Sequence, residues 1–456
     1  MALEYSLEVF IMTIDRRDFL VRTAQAAGFL TIGRIAEADE VKKFEDTSFS
    51  ADEYQGLLPI AQCMTDATSA LFVIMLPKGN NYSVKAFGKN RTELGINFLR
   101  LEIRSHNKWA VQQIRVENLN LSEEYTLQVL DGKSGKVVDE RIFKALNPYK
   151  PSAKYAVASC MNDWFSGLRV DMWQAMAATN PDFILIAGDS VYADFSNSDR
   201  DEKGYWERWT VSRERLAIFR MKKLIPIFST WDDHDFGLNN ANKNFKQKNL
   251  TKDIFGLFWG DQSTASLSLG PGVSKVLNVA GQRIFLMDDR FFRDEDGRGS
   301  HWGVEQENFL ISEIAKSKAP AFIWNGSQFF GGYLGKESYE GNHPQSLKQI
   351  IRELRKLDAP VAFGSGDVHF SETMLLEPDL LGYKSLEFTS SAIHSFAFPG
   401  MWFRKKNSRR RASTSSPNFL LVESSYDLTS THWRIKAQSI GRNKAVLFRH
   451  EQVIRR

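Results

Sequence analysis

Apolar positions along the chain fall mostly in short, uninterrupted runs of strand length, separated by polar turns and a few stretches of helical period. From residue 57 to 147 the runs read as strands. Ala70–Leu76 is uniformly apolar and stops at Pro77-Lys78-Gly79-Asn80-Asn81, Trp109–Val116 alternates, and Tyr125–Leu130 runs into Asp131-Gly132. With no helical period between them, they predict an antiparallel β-sandwich of about 90 residues. The character changes at Pro148-Tyr149-Lys150-Pro151. A buried strand, Tyr155–Ser159, ends on Cys160; Val170, Trp173, Met176 and Ala177 then share a helix face; Asn180-Pro181 stops that helix before Phe183–Ala187. This is a βαβ unit. Further apolar runs at 225–230, 283–287, 321–324, 361–365 and 386–389 alternate with helical stretches at 303–318 and 346–357. After residue 418 the segments 419–422 and 432–437 read as an antiparallel hairpin, Ser408–Pro417 as a basic, Ser/Thr-rich loop, and 446–456 as a C-terminal tail. No internal repeat is present.

Several of these runs stop abruptly at potential ligands. Phe183–Ala187 leads into Gly188-Asp189-Ser190-Val191-Tyr192, Ile225–Thr230 into Trp231-Asp232-Asp233-His234-Asp235, and Val361–Ser365 into Gly366-Asp367-Val368-His369. A buried strand that breaks at Asp, His, Tyr or Cys delivers oxygen, nitrogen and sulfur donors to the carboxyl edge of a sheet. Three such edges, with Cys160 at a fourth, predict a metal centre. Asp189 can place one oxygen on each of two cations, and Tyr192 can return as a phenolate. Phenolate and thiolate donors favour a strongly Lewis-acidic ion such as Fe(III) over Mg or Ca alone. Asp232, Asp233 and Asp235 crowd three carboxylates beside one imidazole, an arrangement that is costly without cations. Asn239 and Asn240 can add a neutral oxygen. Asp367 and His369 have the spacing of extended backbone, which points both side chains the same way. His301, His343 and His394 read as ordinary surface or core residues.

Composition bounds the rest. The 456 residues suggest two or three domains; 43% apolar and 25% charged residues are globular values. A net charge of +4, much of it in Arg404-Lys405-Lys406 and Arg409-Arg410-Arg411, makes no case for a stable nucleic-acid partner. No stretch approaches the length of a transmembrane segment, and two cysteines cannot build a disulfide framework. Near the N-terminus, Asp15-Arg16-Arg17-Asp18-Phe19-Leu20 precedes an Ala/Gly-rich stretch and Ala36-Glu37-Ala38. This resembles a twin-arginine export signal spanning 1–38, with Met12 as a plausible start and 39–56 as a linker. It implies passage through the twin-arginine translocase and a periplasmic or secreted location.

The motifs together carry a family resemblance. Cys160, Gly188-Asp189-Ser190-Val191-Tyr192, Thr230-Trp231-Asp232-Asp233-His234-Asp235-Phe236-Gly237, Met287-Asp288-Asp289-Arg290 and Ser365-Gly366-Asp367-Val368-His369-Phe370 occur in the order and context of the PhoD-type alkaline phosphatases. These are calcineurin-like metallophosphoesterases. Leu119–Tyr125 also resembles the tyrosine corner of fibronectin type III domains. The resemblance implies a four-layer α/β/β/α catalytic domain over 151–445, preceded by an all-β, fibronectin III-like or Ig-like sandwich over 57–147. It implies Fe(III) held by Cys160, Asp189, Tyr192 and His369, and Ca(II) in a second site with Asp189, Asp233, Asp367 and Asn240; another divalent metal is the alternative. His234 falls where relatives contact phosphate and assist the leaving group, so His234 and Asp189 are the catalytic candidates. His234, Asn240 and Arg169 are the substrate-binding candidates. The chain departs from the family in lacking a tyrosine in Met161–Phe165 and an arginine at the usual phosphate-binding position, where Trp173-Gln174 stands; Arg169 is the nearest.

The implied reaction is hydrolysis of a phosphate mono- or diester by metal-activated hydroxide attacking in line. No covalent phosphoenzyme is expected, because no Ser or Thr sits in a nucleophile context. Alternatives are a phosphodiesterase specialised for a polyanion such as teichoic acid, phospholipid or nucleic acid, with residues 400–416 as a positive rim, and a non-catalytic calcium-binding surface protein.

Overall fold

Two large sheets, both ending at the same place, set the architecture. The structure, a computed structural model, describes residues 58–163, 168–195, 200–331, 338–395 and 406–456, with Leu168 and Arg169 described by backbone alone. The twin-arginine segment and the linker lie outside the described residues. Those described fall in one compact unit.

The first sheet has ten strands, in the order Val446–Arg455, His432–Gly441, Asn418–Asp427, Ala153–Ala158, Phe183–Ala187, Ile227–Thr230, Ile60–Cys63, Ala70–Pro77, Trp109–Val116 and Ile96–Ile103. Its centre is parallel: Ala156 pairs with Ile184, and Ile184 with Ile227. These central strands are buried throughout, as expected where both faces of a parallel sheet are covered. The second sheet has eight strands, in the order Leu267–Leu269, Lys275–Val279, Gln282–Leu286, Ala321–Trp324, Val361–Ser365, Ser385–Thr389, Ser371–Leu376 and Arg410–Thr414. A third sheet holds Tyr82–Phe87, Tyr125–Asp131 and Val137–Phe143.

The two large sheets pack against each other. The Phe322 ring meets Trp433 edge-on at 5.6 Å. Hydroxyls bridge the gap: Ser159 Oγ donates to Ser390 O at 2.6 Å, Thr230 Oγ1 to Met287 O at 2.6 Å, and Ser424 Oγ to Gln282 Oε1 at 2.7 Å. Serine and threonine suit such a seam because one small hydroxyl satisfies a carbonyl that a packed interface would otherwise strand.

Two expectations, the C-terminal tail and the basic loop, are corrected. The seven strands of 57–147 pair as a group of four and a group of three, and the group of four continues the ten-stranded sheet through Ile60–Cys63, whose Cys63 pairs parallel with Ile227. The cause is an otherwise open edge at Ile227–Thr230, which Ile60–Cys63 covers; alternation in a sequence tells which face a residue occupies but not which strand lies beside it. Buried Arg141 reinforces the join, donating to Leu58 O at 2.6 Å and Met221 O at 2.7 Å while paired with Asp139. The tyrosine corner is formed, with the Asn120 N–H donating to the Tyr125 hydroxyl at 2.5 Å. Residues 446–455 are no tail but a strand along His432–Gly441. The 408–417 segment is no loop throughout, since Arg410–Thr414 pairs with Ser371–Leu376. Two of its charges are paired: Arg409 bonds Glu377 and Glu340, and Arg410 bonds Glu372.

Close approach of the sheets fixes Gly366. A Cβ there would lie 2.2 Å from the Ala187 carbonyl oxygen and 2.7 Å from Ser159 Cβ. Replacing Gly366 with alanine is therefore expected to lower unfolding free energy by about 1–3 kcal/mol, read from urea titration. Gly95→Ala is the control, because a Cβ at Gly95 meets nothing within 4 Å.

Candidate metal centre

The carboxyl ends of four strands converge where the sheets meet: Ala153–Ala158, Phe183–Ala187 and Ile227–Thr230 from one sheet, Val361–Ser365 from the other. The residues just beyond them form three clusters. In each, donor atoms lie within 4.8 Å of one another: Cys160, Asp189 and His369; Asp189, Asp233 and His234; Asp189, Asp232 and Asp367. Asp189 belongs to all three, so its carboxylate is the shared element.

The backbone here is held in the left-handed region. Cys160 has φ 54°, Asp189 φ 54°, Asp367 φ 66° and His369 φ 56°. For residues other than glycine this costs about 1–3 kcal/mol each and survives only where surrounding contacts over-determine it. Met161 N donates to Asp189 O at 2.8 Å, Gly366 N to Gly326 O at 2.8 Å, and His369 N to Ser391 Oγ at 3.0 Å. The expectation of extended backbone through Asp367-Val368-His369 is thus corrected. Both side chains still reach the cluster, but by a tight turn rather than by strand alternation.

The other expected residues divide. Tyr192 is buried, its hydroxyl 3.4 Å from His369 Nε2 and donating to Ser395 Oγ at 3.3 Å. It packs with Cys160, whose Sγ lies 3.5 Å from Asp189 Oδ2. Asp233 Oδ2 accepts the Asn240 N–H at 2.7 Å, so Asn240 meets the cluster through its backbone while its side chain is exposed. Asp235 turns away from the cluster to accept from Ser190 Oγ at 2.6 Å, Val191 N at 3.0 Å and Asp232 N at 3.1 Å. Those bonds cap the short helix Asp233–Phe236 and brace the Asp189 loop, a structural use for a carboxylate that the sequence grouped with possible donors. The Arg169 side chain lies outside the described residues. His301, His343 and His394 are all buried. His394 accepts from Trp173 Nε1 at 3.0 Å.

Three residues gained a role only from the structure. Asp194 Oδ1 lies 2.8 Å from His234 Nδ1, and its Oδ2 accepts the Asn239 N–H at 3.1 Å. A carboxylate only accepts, so Nδ1 carries the proton and Nε2 is the nitrogen left for another partner. Asp232 is buried and paired with buried Arg290, which also donates to Ser327 Oγ at 3.1 Å. In sequence, Asp194 follows Tyr192 by two residues and Arg290 follows an apolar run by three; neither spacing announces a partner.

Charge decides what such a cluster can hold. Four buried carboxylates, Asp232, Asp233, Asp289 and Asp367, act on one guanidinium, Arg290, and buried Asp189 lies against Asp232 and Asp233. Burial, then the charges of Cys160, Asp233 and Asp232, pushes the Asp189 carboxyl well above its usual range. Burial does the same to Asp232 despite Arg290. Burial opposes the Arg290 charge, but the surrounding carboxylates outweigh it and hold its pKa well up. Asp189 Oδ1 is buried without a hydrogen-bond partner. An excess of buried negative charge with an orphaned carboxylate oxygen fits bound cations. The clusters differ in chemistry: one joins Asp189 to a thiol and an imidazole, another joins it to two carboxylates, which suits two unlike ions.

The chain is a mixed α/β protein with several sheets and an acid-rich cluster at converging strand ends. Among solved structures, that of PhoD superposes with a TM-score of 0.64 over 89% of this chain and 90% of that one, at 16% identity. The chain therefore has a PhoD-like fold. An amylomaltase from Corynebacterium glutamicum superposes over 33% of the chain with a TM-score of only 0.17. No family model matches the sequence, and no curated protein matches it. Among the described residues no helix is long and apolar enough to cross a membrane.

Proposed function

We propose that the chain is a metal-dependent hydrolase of phosphate esters. The observation that carries this reading is the sharing of Asp189 among three donor clusters on a PhoD-like fold. Cys160, Tyr192, His369 and Asp189 would hold Fe(III), and Asp189, Asp233 and Asp367 would hold Ca(II) or another divalent ion, with Asn240 within reach. Bound there, the cations supply charge neutralisation to phosphoryl oxygens and acidity to water. The chain's own residues do the rest. Asp194 keeps the His234 proton on Nδ1 and orients the ring, which lies tilted against Tyr192 at 4.2 Å and edge-on to Phe195 at 5.1 Å. In its imidazolium form, with the Nδ1 proton held by Asp194, His234 would contact phosphate and pass its Nε2 proton to the departing oxygen, leaving the neutral ring. Arg290 offsets Asp232 and limits the negative charge that phosphate meets. The order of layers α/β/β/α, a fibronectin III-like front and export through the twin-arginine route complete the proposal. The packed pair of large sheets and Arg16-Arg17 support these points.

Metal analysis with a visible spectrum tests the assignment. Purified protein is expected to contain iron and to show a charge-transfer band that shifts in Tyr192→Phe and is lost in Cys160→Ser/Tyr192→Phe. A colourless protein holding zinc or manganese would overturn the iron assignment.

A further inference from the structure

Immediately beyond Asn240 the chain walls a cavity of about 390 Å³, lined by Leu238, Ala241, Asn242, Asn244, Phe245 and Lys246. Its wall and the candidate centre share backbone. Leu238 N donates to Asp233 O at 3.2 Å, Asn239 N to Asp194 Oδ2 at 3.1 Å and Asn240 N to Asp233 Oδ2 at 2.7 Å, while Leu238 and Ala241 face the cavity. The turn that positions Asp233 and orients His234 through Asp194 is therefore also the floor of the neighbouring space. Phe245 is anchored against Phe236 at 5.3 Å, so this wall is braced by the core.

The charge of this wall differs from that of the other basic segment. Arg409 and Arg410 are spent on Glu340, Glu377 and Glu372, and Lys243 on Asp294. Lys246 is exposed and has no ion-pair partner among the described residues. Lys248 follows, its ammonium 4.6 Å from the Phe291 ring centre, with Lys252 at 5.3 Å from the same ring. Lys246, Lys248 and Lys252 therefore carry positive charge with no ion pair among the described residues.

Resting on the phosphoesterase reading, we propose that this cavity is a leaving-group subsite for phosphodiesters whose departing alcohol carries a second anionic group. Asn242 and Asn244 offer amide hydrogen bonds, Phe245 an apolar wall, and Lys246 an ammonium that pairs with the distal anion. The cavity adjoins the loop whose backbone bonds to Asp194 and Asp233, next to the candidate donors.

The test uses the full-length metal-loaded protein and two diesters that differ only in the leaving phenol, one carrying a carboxylate and the other its methyl ester. Non-hydrolysable phosphonate versions of both are titrated by calorimetry. The carboxylated phosphonate is expected to bind more tightly than its methyl ester, and that ratio is expected to fall about fivefold in Lys246→Ala and further in Lys246→Glu. Molar salt is expected to erase it. Lys136→Glu, on a distant exposed turn, controls for net charge. Equal binding of the two phosphonates, or a ratio unchanged in Lys246→Glu, would overturn the subsite. Hydrolysis of neither diester by the metal-loaded protein would sink the phosphoesterase reading instead; the calorimetric ratio still decides the subsite.

Discussion

Asp189→Asn is expected to abolish turnover and to raise the stability of the metal-free protein. The two effects have one origin. Asp189 is the donor common to all three clusters, and asparagine offers one neutral carbonyl where a carboxylate offers two charged oxygens. Losing the shared ligand should lower kcat/KM on a phosphate ester by about 10³-fold or more, corresponding to roughly 4 kcal/mol of transition-state stabilisation. Metal content should fall with it. Without cations the same carboxylate is a liability, because burial and the charges of Cys160, Asp233 and Asp232 work against its ionised form. The sign of the pH dependence follows. A carboxyl whose folded pKa is raised binds its proton more tightly when folded. Its contribution is full below the ordinary carboxylate pKa and is lost as pH rises through the raised value. Metal-free wild type should therefore lose stability on going from acid toward neutral pH, and Asp189→Asn should lose less. Urea titration of the chelated proteins at several pH values, beside metal analysis, checks both parts. Full metal content and activity in Asp189→Asn would remove the basis of the site.

His234→Asn separates two roles that the geometry places close together. Its Nδ1 is held by Asp194, and His234 shares a cluster with Asp189 and Asp233. A histidine so oriented can ligate a cation or serve as a general acid. A general acid makes its full contribution when the leaving alcohol is a poor one, and almost none when it departs as a stable phenolate. His234→Asn is expected to retain its metals, to lose about 10²–10⁴-fold in kcat on an alkyl ester, and to lose far less on a nitrophenyl ester. Asp194→Asn should follow the same pattern at about 10–100-fold, since it disturbs only the tautomer and ring orientation. Loss of metal from His234→Asn, with equal damage on both esters, would make His234 a ligand and end its role as proton donor.

Much of the site was legible because its donors stand at strand ends. A buried run that breaks at Asp189, at Asp233 or at Asp367 is visible without coordinates, and Cys160, Tyr192 and His369 lie beside such breaks. Asp232 and Asp235 were indistinguishable from Asp233 in one dimension. The structure turns one toward Arg290 and the other into a helix cap. Asp194 and Arg290 were unreadable for a different reason: each acts through one partner far away in sequence, and no local period encodes such a pairing.

The sequence by itself determined the strand-and-helix alternation, the places where buried strands stop, and the chemical types gathered there, because periodicity and composition are local properties of the chain. Tertiary structure alone decided that Ile60–Cys63 extends the central sheet, that Val446–Arg455 and Arg410–Thr414 are edge strands, and that Arg409 and Arg410 are neutralised. It also gathered the three donor clusters around one carboxylate. Strand partners and charge partners are chosen by which edges and which buried charges remain to be satisfied once the rest of the molecule is in place, and that choice is made in space rather than along the chain.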